Sequence, residues 1–156
     1  MQQPSARAPA SNALEGSYPV SAALMWHNRV HLKAPQENGI DLPVRAVADG
    51  KVIFISHPKP HEATPTHPQN YMPDQTVAWT DNGCIIIEHT TDIGSTGLTP
   101  TEITYFSLYM HLCTIESAIT LNGNVYRKDA LGKAGQFYGA EGQLNLEILA
   151  REILNY

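Results

Sequence analysis

Gln143-Leu144-Asn145-Leu146-Glu147-Ile148, close to the C-terminus, alternates polar and apolar residues without a break. Successive side chains of an extended chain point to opposite faces. The stretch therefore predicts a strand with Gln143, Asn145 and Glu147 on one face and Leu144, Leu146 and Ile148 buried on the other. A polar face of this kind at the end of a β domain suits the floor of a groove. Two of its three residues are neutral amides, where a hydrolytic metal site would use imidazoles. That choice of residue governs what chemistry the chain can do.

The segments before it carry the same β signature. Asp49-Gly50 is a strong turn signal between the β-prone runs of Arg45 to Ser56. Asp81-Asn82-Gly83 is another, and Cys84 to His89 follows as a buried-strand candidate. Thr90 to Thr101 is polar and contains glycine, which predicts a loop. Ile103 to Ile115 reads as a long strand, and Asn122-Gly123-Asn124 turns the chain into Val125-Tyr126-Arg127. His57 to Gln75 carries five prolines and three histidines, a composition that excludes a central strand and predicts a solvent loop or a lid over a neighbouring surface. No long amphipathic helix and no internal repeat is visible. The expected fold class is all-β.

At 156 residues the length suits one domain with a substantial core. A net charge of −5 with the two signs dispersed argues against nucleic acid as the main partner. No apolar run approaches the roughly 20 residues needed to span a bilayer. Met1 to Gly16 are rich in Gln, Ala, Ser and Pro, with neither a basic start nor an apolar h-region. Residues 1–17 thus read as a disordered lead-in rather than a signal peptide, with the domain expected from residue 18 to 156. Cys84 and Cys113 are not in C-x-x-C spacing and cannot make a tetrahedral zinc site by themselves. Both fall in β stretches expected to be neighbours, which leaves open a cross-strand disulfide or two buried thiols.

The histidines are ambiguous one at a time. His27 and His31 stand four apart, which in a strand separates them by about 13 Å, so joint ligation of one ion requires a bend, for which Asn28 is suited. His111 lies within an apolar strand, where a satisfied core histidine is the commoner case. His89 is expected to end its strand and bond locally. His57, His61 and His67 are irregularly spaced in the Pro-rich loop and suit surface positions.

In chain order they become specific. Trp26-His27-Asn28-Arg29-Val30-His31 is similar to an H-x-x-x-D block, and Leu42-Pro43-Val44-Arg45-Ala46-Val47-Ala48-Asp49-Gly50-Lys51-Val52 to a P-V-x-A-x-x-D-G-x-V stretch. Tyr109-Met110-His111-Leu112 matches Y-x-H-L, and Gln143-Leu144-Asn145-Leu146-Glu147 falls where H-x-H-F-E belongs. Together these blocks resemble the LytM/lysostaphin-type zinc endopeptidases, which cut the peptide cross-links of bacterial peptidoglycan. The resemblance implies an open antiparallel β-sheet platform whose loops wall a substrate groove, with few or no long helices.

It also implies a site. The metal positions carry over to His27, His31 and Asn145, and the positions that activate water and stabilise the tetrahedral intermediate to His111 and Gln143. His27 and His111 keep the family's residue type; the other three depart. Histidine for aspartate at 31 is a change zinc accepts. Asparagine at 145 supplies only a weak neutral oxygen. Glutamine at 143 cannot exchange a proton near neutral pH, a loss typically worth about 10²–10⁴-fold. The implied zinc would be held weakly or not at all.

Three functions are consistent with that site. One is a domain binding peptidoglycan peptides or a partner cell-wall hydrolase, its hydrolytic activity lost or strongly reduced. The second is an active, divergent zinc endopeptidase, and the third a structural β domain of a secretion or phage-like assembly. For the first two the site of action would be the periplasm or the extracellular cell wall.

Overall fold

The computed structural model describes residues 30–70 and 78–151. The described residues form ten strands: β1 (Val30–Lys33), β2 (Gln36–Glu37), β3 (Ile40–Asp41), β4 (Val44–Arg45), β5 (Gly50–Ser56), β6 (Gly83–Thr96), β7 (Thr99–Ile115), β8 (Asn124–Val125), β9 (Ala130–Phe137) and β10 (Ala140–Ala150). Eight make one open antiparallel sheet, seven of them in the order β1-β10-β9-β7-β6-β5-β8. In addition β4 joins β9, and the C-terminal half of β10 pairs directly with β7. β2 and β3 form a separate small hairpin. The helical content among the described residues is a single 3-10 turn at Pro68–Asn70. The expected all-β open platform is what the chain forms. Among the described residues no helix is long and apolar enough to cross a membrane.

The core lies on one face of the sheet. Val52, Ile85, Ile87, Tyr109, Leu112, Leu131 and Leu144 pack there, and Val44, Ala46, Ile119 and Val125 close over them. Period-two alternation along β5, β6 and β7 produces this arrangement.

The Pro43-to-Val52 block earns its sequence by holding the cover in place. Asp49 Oδ1 accepts the backbone N–H of Arg127 at 2.6 Å, and Val47 N–H donates to the Tyr109 hydroxyl at 2.9 Å. His89 extends the Ile85, Ile87 row. Its Nδ1 lies 2.7 Å from the Asp49 carbonyl and its Nε2 2.6 Å from Ser107 Oγ. A carbonyl only accepts, so Nδ1 carries the proton and the serine hydroxyl donates to Nε2. A Cβ at Gly50 would sit 2.7 Å from His89 Nδ1, so glycine is required beside that ring.

Three expectations need correction. Thr90 to Thr101 is not a loop: β6 and β7 continue as a ribbon with register partners out to Thr96 and Thr99. The threonines there favour extended backbone, and a two-stranded ribbon can project beyond the covered sheet with both faces wet. His89 does not end its strand or bond locally; both of its partners are distant in sequence. Finally, Ile148 is 51% exposed, whereas Gln143 and Asn145 are 7% and 0% exposed. The polar face of β10 is roofed at its N-terminal half, and the apolar face runs past the end of the core.

Candidate functional site

β10 is sandwiched at Asn145. On one side β1 sets His31 opposite Asn145 and Lys33 opposite Gln143. On the other, Asn145 faces Met110 of β7, and Gln143 faces Gly135 of β9. His31, Gln143 and Asn145 therefore lie on the sheet face opposite Leu32, Leu144 and Leu146.

His111 reaches the same place by a different device. In the β6–β7 ladder Cys84 pairs with Met110 and Gly83 with Leu112, so His111 is the extra residue of a bulge, with a left-handed φ of 67°. That backbone costs a non-glycine residue about 1–2 kcal/mol. It resets the alternation: Tyr109 and Leu112 both enter the core, while Met110 and His111 both face the opposite cavity.

The His111 ring is oriented from both ends. Its Nδ1 lies 2.9 Å from the Asp81 carbonyl, and its Nε2 3.1 Å from Asn145 Nδ2. The first bond places the proton on Nδ1, and the second has the amide donating into the Nε2 lone pair. Phe137 fills the space between the two imidazoles, its ring 4.6 Å from that of His111 and 5.1 Å from that of His31. Asn145 Oδ1 and Gln143 Oε1 are buried with no hydrogen-bond partner among the described residues, and Gln143 Nε2 folds back onto the Glu141 carbonyl.

Of the expected site residues the structure thus brings together His31, His111 and Asn145, with Gln143 two residues along the same strand face. His27 lies outside the described residues. Among the described residues no group of three or more His, Cys, Asp or Glu side chains could hold a metal ion. Toward zinc they offer His31 and the Asn145 oxygen. The orphaned Oδ1 is the atom an ion would use, and as a neutral amide oxygen it is a weak donor. The pair fits zinc as the weak part of a site.

Asp81 and Phe137 were not singled out in the sequence. Asp81 is the hub: beyond its carbonyl bond to His111, its carboxylate accepts Trp79 Nε1 at 3.0 Å and Gln136 N–H at 2.6 Å. The only signal for it was the Asp-Asn-Gly string, which reads as a turn. The His57–Gln75 insertion is described to Asn70, and that part is a wall. His61 and His67 pack on the Trp79 ring at 4.7 and 5.7 Å, and Gln69 exchanges hydrogen bonds with the backbone of Thr80. Pro68 and Gln69 then border a cavity of about 400 Å³ with Asp81, Met110, His111 and Phe137.

Cys84 and Cys113 are separate thiols. Burial pushes both above the ordinary thiol range, and at Cys113 the Asp81 charge adds to it. Burial raises Tyr109 in the same direction. The folded chain holds these protons more tightly than the unfolded chain, so their contribution is full below the unfolded thiol pKa and is lost as pH rises through the folded one. Stability is expected to fall above about pH 9. Urea titrations across that range should show a shallower fall in a Cys84→Ala, Cys113→Ala variant; equal slopes would assign the loss elsewhere.

Compared with known proteins, the chain matches no family model, no curated protein and no solved structure.

Proposed function

We propose that the chain is a LytM-type, peptidoglycan-endopeptidase-like domain whose groove binds cell-wall peptides, or a partner hydrolase, with hydrolysis lost or strongly reduced. The observation that carries this reading is the Asn145–His111 hydrogen bond. The nitrogen of His111 that would exchange a proton with water or a leaving group is occupied by a fully buried amide. Gln143, the other position assigned to that chemistry, has no titratable group. The groove itself is intact: the loop bearing Pro68 and Gln69 and the aromatic pair Phe137–Tyr138, stacked at 4.3 Å, wall a cavity large enough for a peptide side chain. Its natural setting in this reading is the periplasm or the cell wall.

The orphaned Asn145 oxygen beside His31 supports the alternative, an active divergent zinc endopeptidase on His27, His31 and Asn145. One experiment separates the two. Purified protein is incubated with sacculi, with and without chelator, while sedimented protein and released peptides are measured. The binding reading expects co-sedimentation and no released peptide in either condition. Chelator-sensitive release that is lost in His27→Ala would replace it with the enzyme. Absence of binding and release alike would leave the structural-assembly reading, which requires co-purification with a larger complex.

A further inference from the structure

Two non-glycine residues with a left-handed backbone meet at one place. His111 and Tyr138, with φ of 67° and 50°, both line the cavity of about 400 Å³. Tyr138 and Gly139 (φ 76°) form the two-residue turn between Phe137 and Ala140. Turns of this kind take asparagine, aspartate or glycine at the first position, so the tyrosine is held against its backbone preference. The turn is anchored from outside: Gly139 N–H donates to the Trp79 carbonyl and Tyr138 N–H to Thr80 Oγ1. What the tyrosine contributes is its ring, which stacks on Phe137 and stands at the cavity wall. Such strain concentrates where a side chain is needed for binding.

The rest of the lining narrows the occupant. Asp81 is the lining residue with a carboxylate, and it already accepts Trp79 Nε1 and the Gln136 N–H. The His111 ring is engaged at both nitrogens. Two carboxamides remain, each held by one end. Gln69 Nε2 donates to the Thr80 carbonyl at 2.9 Å, and Asn82 Oδ1 accepts the Lys59 N–H at 2.9 Å. A carbonyl only accepts and an N–H only donates, so both amide orientations are determined. Among the described residues this leaves Gln69 Oε1 as an acceptor and Asn82 Nδ2 as a donor, each without a protein partner. Thr80, which holds Gln69, and Asn82 are two residues apart, a chain span of at most about 7 Å. A carboxylate would set an oxygen against the Gln69 oxygen, and an ammonium would set donors against Asn82 Nδ2. A secondary amide, with one N–H and one C=O, satisfies both.

We propose that this cavity binds a neutral secondary amide, its C=O accepting from Asn82 Nδ2, its N–H donating to Gln69 Oε1 and its substituents packed on the Tyr138 ring. The proposal rests on the binding reading of the groove and gives the chemical group that is bound. A peptide backbone and an N-acetylated sugar both carry that group.

The test is titration of the full chain with N-acetylalanine methylamide and with the methyl glycoside of N-acetylglucosamine, read by amide chemical shifts. Binding of either supports the proposal, and the tighter of the two identifies the source. Methyl O-acetyllactate, in which oxygen replaces both N–H groups of the first probe, should bind about tenfold more weakly than that probe. Asn82→Asp keeps the acceptor for Lys59 N–H and exchanges the free donor for an oxygen; it should weaken the amide probe by about tenfold. Tyr138→Asn should weaken it about fivefold while Tm holds or rises, because asparagine suits the turn. Equal affinity for the ester, indifference to Asn82→Asp or to Tyr138→Asn, or no binding of either probe would overturn the proposal. Sacculi that co-sediment equally with the parent and both variants would overturn it and leave the binding reading standing. Probes bound as expected by a chain that ignores sacculi would do the reverse.

Discussion

Replacing Gln143 and Asn145 together by histidine is expected to raise zinc affinity on the order of 100-fold or more. Loss of a mere outer-shell partner of a metal ligand typically costs about 10–100-fold, and here a ligand itself is exchanged from an amide oxygen to an imidazole nitrogen. The register makes the change local, since position 145 faces His31 across the β1–β10 ladder. It also removes the amide that donates into His111 Nε2, returning that lone pair to the cavity. The substitution has a cost. Asn145 is fully buried, and a larger ring there overpacks the site by about 1–3 kcal/mol. The metal-free variant should therefore melt below the parent and recover with zinc, since an ion at about 100 times its Kd contributes about 2.7 kcal/mol. Equilibrium dialysis and paired melts with and without zinc check both halves. A folded variant with no gain in zinc affinity would show that positions 31 and 145 do not share an ion, and the endopeptidase alignment of the last strand would fail with it.

The parts of this site legible in the sequence are those that strand periodicity governs. The alternation of residues 143–148 placed Gln143 and Asn145 on one face, and the long run from Ile103 to Ile115 located β7. Periodicity fails at His111. Strict alternation would send Tyr109 and His111 to the same side, and only a one-residue bulge with a left-handed histidine separates them. Non-glycine residues rarely adopt that backbone, and nothing local marks which one will. Asp81 was illegible for another reason. Its importance lies in three bonds, to His111, Gln136 and Trp79, of which the first two join residues distant in sequence. The Thr90–Thr101 segment reads as a loop because it lacks apolar alternation, which a ribbon wet on both faces does not need.

Gly135→Ala is expected to damage the fold and the site together. A Cβ on Gly135 would stand 2.7 Å from the His111 carbonyl and 2.8 Å from Asp81 Cβ, and closer still to Asp81 Oδ2. None of these atoms is the free end of a flexible side chain. The His111 carbonyl belongs to the bulge, and the Asp81 carboxylate is tied to Trp79 and to the backbone of Gln136. Because Gly135 pairs with Gln143, a shift of β9 is also passed to the strand carrying both amides. Overpacking against rigid backbone places the loss at about 3 kcal/mol or more, a fall in Tm on the order of 10 °C for a domain of this size. Gly132→Ala is the matched control. Its Cβ would collide with the Thr114 carbonyl in the β7–β9 ladder, without touching Asp81 or His111. Both variants should lose stability, but at temperatures where each is still folded only Gly135→Ala should move the His111 imidazole resonances and weaken binding in the groove. Equal changes in those resonances would mean that Asp81 does not orient His111. A Gly135→Ala protein as stable as the parent would contradict the packing of β9 against the bulge, on which the placement of His111 beside Asn145 depends.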